Sequence, residues 1–516
     1  MSGAGRDTVP LPYGDPSLAK ARITPANGVV VVGEASVTRL RAACATVDVD
    51  DRSRADAGRD WWPLALTWAT GGEVPALPAV VARPTTAAEV AAVISVCVED
   101  RLPLTPFAGR SGVCGASVPV FGGVSLDLCG LDGIVAVDDD SLLVDVRAGM
   151  FGDTFEDELR SKHRLTVGHW PQSIALSTVG GWAACRGAGQ YSTRYGKIED
   201  MVVGLEVVLA SGEIIRTGGR GPRAASGPDL TQLLLGSEGT LGVITEVRLR
   251  AHPVPPTSAR AAYGFLPGDG GAGSFVRGLE ACRRILRRGA TPAVLRLYDE
   301  RESKRSYDID GQSVLIVLDE AEQALVEATL EIVEEECEPG DGSVIRLDDA
   351  LVERWLGHRN DVSGLADTIG KGLVVDTSEI SARWSALPGI YDAVNAAMQT
   401  IPGHLVVSAH QSHAYTDGAC LYFTFAGLGG SETDPSAGDR YYRAAWDAVT
   451  RTTLAHGGTL SHHHGVGLNR SRYMEEAVGA GTLAALRAVK AALDPSGILN
   501  PGKLGFPHPF GPVEVP

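Results

Sequence analysis

Apolar and polar positions change their period along this chain, and the changes mark its elements. Residues 1–60 are rich in Gly, Ala, Asp and Arg, with few large apolar side chains outside the run 29–32. They predict a partly ordered N-terminal extension. Organised α/β sequence begins near Ala79. Thr86 and Glu89 stand at capping-box spacing, and Val90, Val93, Ile94 and Cys97 then share one face of a helix. Short apolar runs predict strands at 104–107, 124–128 and 142–146; 205–215 reads as a hairpin turning at Ser211-Gly212, and 242–249 as a further strand. After His252-Pro253-Val254-Pro255-Pro256 the pattern changes. Strand-like 293–297 and 313–318 alternate with helical 321–336 and 387–399, and strands at 405–408 and 420–425 follow. A domain boundary is expected near Pro255, and no repeat of solenoid period is visible.

Composition narrows this picture. A chain of 516 residues exceeds one core, so two large domains are expected. Hydrophobic content of 44% with a mean hydropathy of +0.03 describes a soluble globular protein. The 46 basic against 63 acidic residues give −17, the wrong sign for a nucleic-acid partner. No apolar run approaches the ~20 residues of a membrane span, and no signal pattern opens the chain. Eight cysteines lie scattered without a C-x-x-C pair, as expected of reduced thiols. These readings predict a cytoplasmic location.

Three glycine loops carry the first chemistry. Pro106-Phe107-Ala108-Gly109-Arg110-Ser111-Gly112-Val113-Cys114-Gly115 follows a strand; small residues let backbone N–H groups converge on an anion. It is neither a P-loop nor G-x-G-x-x-G, so nucleotide triphosphatase and nicotinamide readings fail on the pattern. Ser177-Thr178-Val179-Gly180-Gly181-Trp182, with Gly187-Ala188-Gly189, is the second loop. The third runs through Leu235-Gly236-Ser237-Glu238-Gly239-Thr240-Leu241-Gly242. Three such loops exceed what turn-making needs and suit a long ligand such as a dinucleotide. A second signal is Ser461-His462-His463-His464-Gly465-Val466-Gly467, between glycine turns. Three adjacent histidines on a turn splay their rings, so at least one is expected to line a cavity. His-rich tracts also bind metals, but no Cys or carboxylate stands nearby at zinc-finger spacing, and no metal is expected.

The loops, in this order and together with Leu493-Asp494-Pro495-Ser496-Gly497-Ile498-Leu499-Asn500-Pro501-Gly502-Lys503-Leu504, resemble the FAD-binding domain of vanillyl-alcohol-oxidase-type (PCMH-type) flavoproteins. Ala414 through Phe423 and Gly457 through Gly467 resemble the alkyldihydroxyacetonephosphate (alkylglycerone-phosphate) synthase branch. The resemblance implies an α+β protein: a split, two-subdomain FAD-binding domain with an α/β substrate-binding cap. It places the extension at 1–60, the FAD-binding domain at 61–255, the cap at 256–490 and a returning segment at 491–516. It implies that Pro106, Ala108, Gly109, Arg110, Ser111, Gly112, Val113 and Gly115 hold the FAD pyrophosphate. Ser173, Thr178, Gly180, Gly181, Gly187, Tyr195, Asp200, Glu238, Gly239, Gly242 and Ile244 would cradle the rest, with Lys503 near the flavin. Tyr415 matches the branch's acid/base tyrosine, His462, His463 and His464 its histidine cluster, and Arg296 an arginine required for its activity. The branch exchanges an acyl for an alkyl group at flavin N5 in ether-lipid synthesis, without net redox change. A small-molecule or lipid-like substrate follows, and a homodimer is compatible.

Two departures keep the function open. The branch's phosphate-binding arginine follows a tryptophan by two positions; here Trp384 is followed by Ser385 and Ala386, with Arg383 before it. A lost guanidinium clamp points away from a phosphate ester. Cys114 stands where some relatives attach flavin through histidine, which implies non-covalent FAD. A synthase-like transferase and an FAD-linked oxidoreductase of a 2-hydroxy acid or other alcohol both remain, beside a flavin-binding protein without catalysis. In each enzyme reading Tyr415 and the histidines move protons and Arg296 steadies negative charge.

Overall fold

Strands 80–83, 104–107 and 124–127 are buried at nearly every position, as strands covered on both faces are. In the computed structural model, which describes residues 19–219, 221–268, 273–338, 340, 342–362, 364–430, 434 and 436–515, they form the parallel part of a four-stranded sheet. Its order is Thr46–Asp48, Val80–Arg83, Val124–Asp127, Leu104–Phe107, the first strand antiparallel. The helix Ala87–Glu99 covers it with Val90, Val93, Ile94 and Cys97 buried. Thr86 caps this helix by accepting from the Glu89 amide, while Glu89 reaches back to the Thr85 amide, one residue earlier than a capping box requires. Of the expected extension, residues 1–18 lie outside the described residues. Residues 19–60 are built into the fold, with helices Glu34–Ala43 and Asp51–Asp56 flanking the edge strand Thr46–Asp48.

A five-stranded antiparallel sheet follows, in the order Ile214–Arg216, Val202–Val208, Val243–Arg250, Leu143–Arg147, Ile134–Asp138. The hairpin expected at 205–215 is its edge, with Gly212 at φ +82° in the turn, a conformation glycine adopts at no steric cost.

The third sheet has seven strands, all neighbours antiparallel: Val344–Leu347, Thr257–Phe265, Ser313–Ala321, Val294–Tyr298, His404–Ala414, Gly418–Leu428, Leu373–Arg383. Along Val294–Tyr298 and Gly418–Leu428 successive side chains point to opposite faces of this sheet. Leu295, Leu297, Leu421, Phe423 and Phe425 enter one cluster with helices Ser274–Arg287, Leu387–Met398 and Ala437–Ala455. Val294 and Tyr298 pack on the opposite face, with Tyr191 from the other half of the chain. That opposite face also carries Arg296, and it overlooks the site. The chain then leaves this sheet: Leu460, Tyr473, Met474, Leu483, Leu504 and Phe506 pack with Val144 and Val247. Leu499 bridges Leu104 of the first sheet. All eight cysteines are free. No helix among the described residues is long and apolar enough to cross a membrane.

Candidate active site

A cavity of about 600 Å³ opens between the glycine loops and the seven-stranded sheet. Of the residues expected to hold a cofactor, Pro106, Ala108, Gly109, Arg110, Ser111, Gly112, Val113, Ser173, Thr178, Gly180, Gly181, Gly187, Glu238, Gly239, Gly242 and Ile244 line it. Four others do not reach the wall. Gly115 at φ +76° turns against the Trp62 ring, where a Cβ would lie 3.1 Å from Cε3. Tyr195 donates its hydroxyl to Glu320 at 2.7 Å. Asp200 accepts from the Lys197 amide at 2.9 Å, capping a short helix. Lys503 is fully buried and donates to the carbonyls of Val118 and Pro501; burial lowers its pKa to about 7. Each is consumed by holding the fold around the loops.

The wall itself fits a dinucleotide. A Cβ built at Gly112 or Gly187 would meet nothing closer than 3.6 Å, so the space such a side chain would take is the cavity's. His169 is completely buried on the wall, and neither ring nitrogen has a hydrogen-bond partner among the described residues. An orphaned buried imidazole costs on the order of 1–3 kcal/mol unless something else bonds it. These positions are the ones FAD would occupy. Gly109 is different: a Cβ there would sit 2.0 Å from the Leu176 carbonyl, so its smallness serves the approach of two chain segments.

The histidine turn is clamped from two sides. Glu379 accepts from the His464 amide at 2.8 Å, from the His462 amide and from Ser461, and is paired with the buried Arg470 at 3.0 Å. Glu238 accepts from the amides of Val466 and Gly467, tying the turn to the third glycine loop. Held this way, His463 and His464 line the cavity; His462 does not. Tyr415, expected at the reacting centre, also stands off the wall, and its hydroxyl meets His462 Nε2 at 3.1 Å and Ser192 at 3.4 Å. The reason lies in the strand His404–Ala414. A bulge at Ser412/Ala414 leaves His413 at φ +53° and turns that imidazole onto the wall, with Tyr415 behind it. Burial pushes His462, His463 and His413 well below the ordinary histidine pKa, and His464 to about 4. Burial likewise raises Tyr415 and Tyr422. Imidazoles and phenols are therefore all uncharged near neutral pH.

The fold supplies the thiol that sequence spacing lacked: Cys420 Sγ and one nitrogen each of His462 and His463 lie within 4.8 Å of one another. Both histidines already spend both nitrogens in hydrogen bonds, to each other, to Tyr415 and to Tyr422.

Arg296 lines the cavity, and its partners are new. Its Nη2 donates to His410 Nε2 at 2.7 Å, while His410 Nδ1 lies 3.1 Å from both Glu302 oxygens. Burial, then the Arg296 charge, lowers His410 to about 4, so it is neutral and must donate Nδ1–H to Glu302. Burial opposes ionisation of Glu302, but His410 and the flanking arginines 305 and 296 prevail and bring it to about 2. The buried Arg296 Nε has no hydrogen-bond partner among the described residues. His410, His413, Tyr422, Glu302, Ser192 and His169 escaped the sequence reading. A signal existed for two: His410 and Tyr422 are directly paired across strands on the face opposite Phe423 and Phe425, so polar residues alternate with the core period. Ala386 caps the helix Leu387–Met398 and packs on the helix side of the sheet, not on the cavity; Trp384 spends its indole N–H on the Tyr415 carbonyl.

Known proteins resemble this chain over most of its length. Residues 78–218 match the model of an FAD binding domain, and residues 271–504 that of the FAD linked oxidases, C-terminal domain. An uncharacterized FAD-linked oxidoreductase, YgcU, of Escherichia coli O157:H7 is 30% identical over 83% of this chain and 89% of its own. The alkyldihydroxyacetonephosphate synthase of Caenorhabditis elegans is 30% identical over 85% and 78%. Glycolate oxidase subunit GlcD of Bacillus subtilis is 28% identical over 87% and 93%. Among solved structures, an alkyldihydroxyacetonephosphate synthase superposes with a TM-score of 0.75 at 24% identity, covering 94% of this chain and 89% of that one.

Proposed function

The chain belongs to the FAD-linked oxidases and is an FAD-dependent enzyme, and from that premise we propose that it oxidises a small 2-hydroxy acid. One observation carries the reading. Arg296 is the single arginine or lysine that the seven-stranded sheet contributes to the described cavity wall, and its Nε is unpartnered. One guanidinium on this face of the wall matches one carboxylate. The other arginine on the wall, Arg110, belongs to the first glycine loop and directs Nη1 to the Asp56 carbonyl. The place of the expected phosphate clamp, Ala386, lies on the far side of the sheet.

In this reading Glu302 fixes the His410 tautomer, His410 orients Arg296, and Arg296 holds the substrate carboxylate. His463 and His464 of the histidine turn line the same space, and the substrate hydroxyl proton reaches their uncharged imidazoles through Tyr422, whose hydroxyl meets His463 Nε2. When bound, FAD supplies the hydride acceptor. Trp61, Val113, Leu176, Val362 and Leu365 wall one side with apolar surface and keep water from the charges.

Alkyl-for-acyl exchange is the second reading, favoured by the histidine turn and its contact with Tyr415. Anaerobic mixing separates the two. With glycolate or D-lactate, stable loss of the oxidised-flavin absorbance is expected. Product from an acyl-dihydroxyacetone phosphate and a fatty alcohol, with no loss of absorbance and no response to either hydroxy acid, would overturn the proposal.

A further inference from the structure

We propose that Tyr422, His463, His462, Tyr415, Ser192 and His413 form one directional proton relay that begins and ends on the cavity wall, with Tyr422 as the group that meets the substrate hydroxyl. The inference rests on the oxidase reading above for its chemistry, but the relay itself is a property of the hydrogen bonds.

The contacts are continuous. The Tyr422 hydroxyl meets His463 Nε2; His463 Nδ1 meets His462 Nδ1 at 2.8 Å; His462 Nε2 meets the Tyr415 hydroxyl at 3.1 Å. Tyr415 donates to Ser192 Oγ at 3.4 Å, and Ser192 Oγ meets His413 Nδ1 at 2.7 Å. Tyr422 and His413 line the cavity, whereas His462, Tyr415 and Ser192 do not.

One donation, from the Tyr415 hydroxyl to Ser192 Oγ, sets the direction of the relay, and valence carries it through the other links. Tyr415 spends its proton on Ser192, so its oxygen must accept from His462 Nε2–H. A neutral imidazole carries one N–H, so His462 Nδ1 is bare and accepts from His463 Nδ1–H. His463 Nε2 is in turn bare and accepts from the Tyr422 hydroxyl. At the other end the Ser192 hydroxyl donates to His413 Nδ1, which leaves the His413 proton on Nε2. Every link points the same way, and burial keeps every member uncharged.

The step balances along this chain. The substrate hydroxyl proton passes to Tyr422 Oη as the Tyr422 proton passes to His463 Nε2. The His463 Nδ1 proton passes to His462 Nδ1, the His462 Nε2 proton to Tyr415, the Tyr415 proton to Ser192, and the Ser192 proton to His413 Nδ1. The substrate oxygen has lost one proton, His413 has gained one, and the intervening groups are neutral again. The electron pair would leave with the substrate hydride, for which FAD, when bound, would be the acceptor. Tyr415 is thus a positioning residue acting through His462, and Tyr422 is the catalytic tyrosine.

The test reads the tautomers directly. Nitrogen-15 NMR of histidine-labelled, FAD-loaded full-length protein at neutral pH should show His463 protonated on Nδ1, and His462 and His413 on Nε2. The opposite tautomer at His462 or His463, or an imidazolium at any of the three, would overturn the relay. A kinetic arm uses flavin reduction by glycolate or D-lactate in mixed light and heavy water. Tyr422→Phe should slow it ~100-fold. Ser192→Ala should slow it about 10-fold, below the ~100-fold of a lost acid/base, and straighten a curved proton inventory, with Ser192→Thr restoring both. An unchanged inventory in Ser192→Ala would also sink the relay. If neither acid reduces the flavin, the oxidase reading fails while the tautomers still decide the relay.

Discussion

In the proposed reading single side chains decide most of this site, and Arg296 carries the largest share. Arg296→Ala should leave FAD content unchanged and raise KM for a hydroxy acid ~10- to 100-fold, the loss of a charge-assisted bond worth about 1.5–3 kcal/mol; steady-state kinetics checks it. Glycines divide by what they face. Gly109→Ala drives a methyl into the Leu176 carbonyl and should lower the melting temperature. Gly187→Leu should leave the apoprotein's melting temperature within a degree or two and empty the flavin site, read by absorbance after gel filtration. The histidines set the pH response. His462 and His463 lie well below the ordinary histidine pKa of about 6.5, so their basic, uncharged forms persist as pH falls through that value and are lost only at lower pH. The acid limb of kcat/KM should accordingly fall below 6.5, and a limb at or above that value would mean that the turn is solvated and charged.

Elements place these side chains, and here the sequence was only partly legible. Helices at 87–99 and 323–337 and the glycine loops are local, periodic features, and they stand close to where the pattern put them. Leu373–Arg383 and Thr257–Phe265 gave no usable alternation. In Leu373–Arg383, Asp376, Ser378 and Glu379 are all buried, Glu379 on the histidine turn and Asp376 on Tyr442 and Trp446, so the pattern no longer marks a water-facing side. The returning C-terminal segment is fastened by Lys490, which donates to Thr240 O at 2.7 Å, to Leu499 O at 2.9 Å and to Asp494 at 2.5 Å. Burial and these bonds make the pair costly to break: Lys490→Ala should destabilise by about 3 kcal/mol and loosen the third glycine loop, so FAD loss and unfolding on heating should coincide at a lower temperature.

At the scale of the whole molecule, the cofactor half of the site was readable because each loop is one contiguous segment. The reacting half was not. It draws Ser192, Arg296, His410, His413, Tyr422 and His463 from five separate stretches, and only the sheet order and the bulge at His413 bring them together. Tyr415 shows the consequence: its sequence neighbourhood suggested contact with substrate, and the bulge sets it two hydrogen bonds behind the wall. The central claim is that this assembled cavity selects a hydroxy acid through Arg296. The most direct measurement compares anaerobic flavin reduction by D-lactate and by its uncharged amide, in the native enzyme and in Arg296→Ala. The account predicts that the native enzyme prefers the acid by ~10-fold or more and that Arg296→Ala erases the preference. A preference for the acid that survives in Arg296→Ala, or a native enzyme indifferent to the carboxylate, would contradict it.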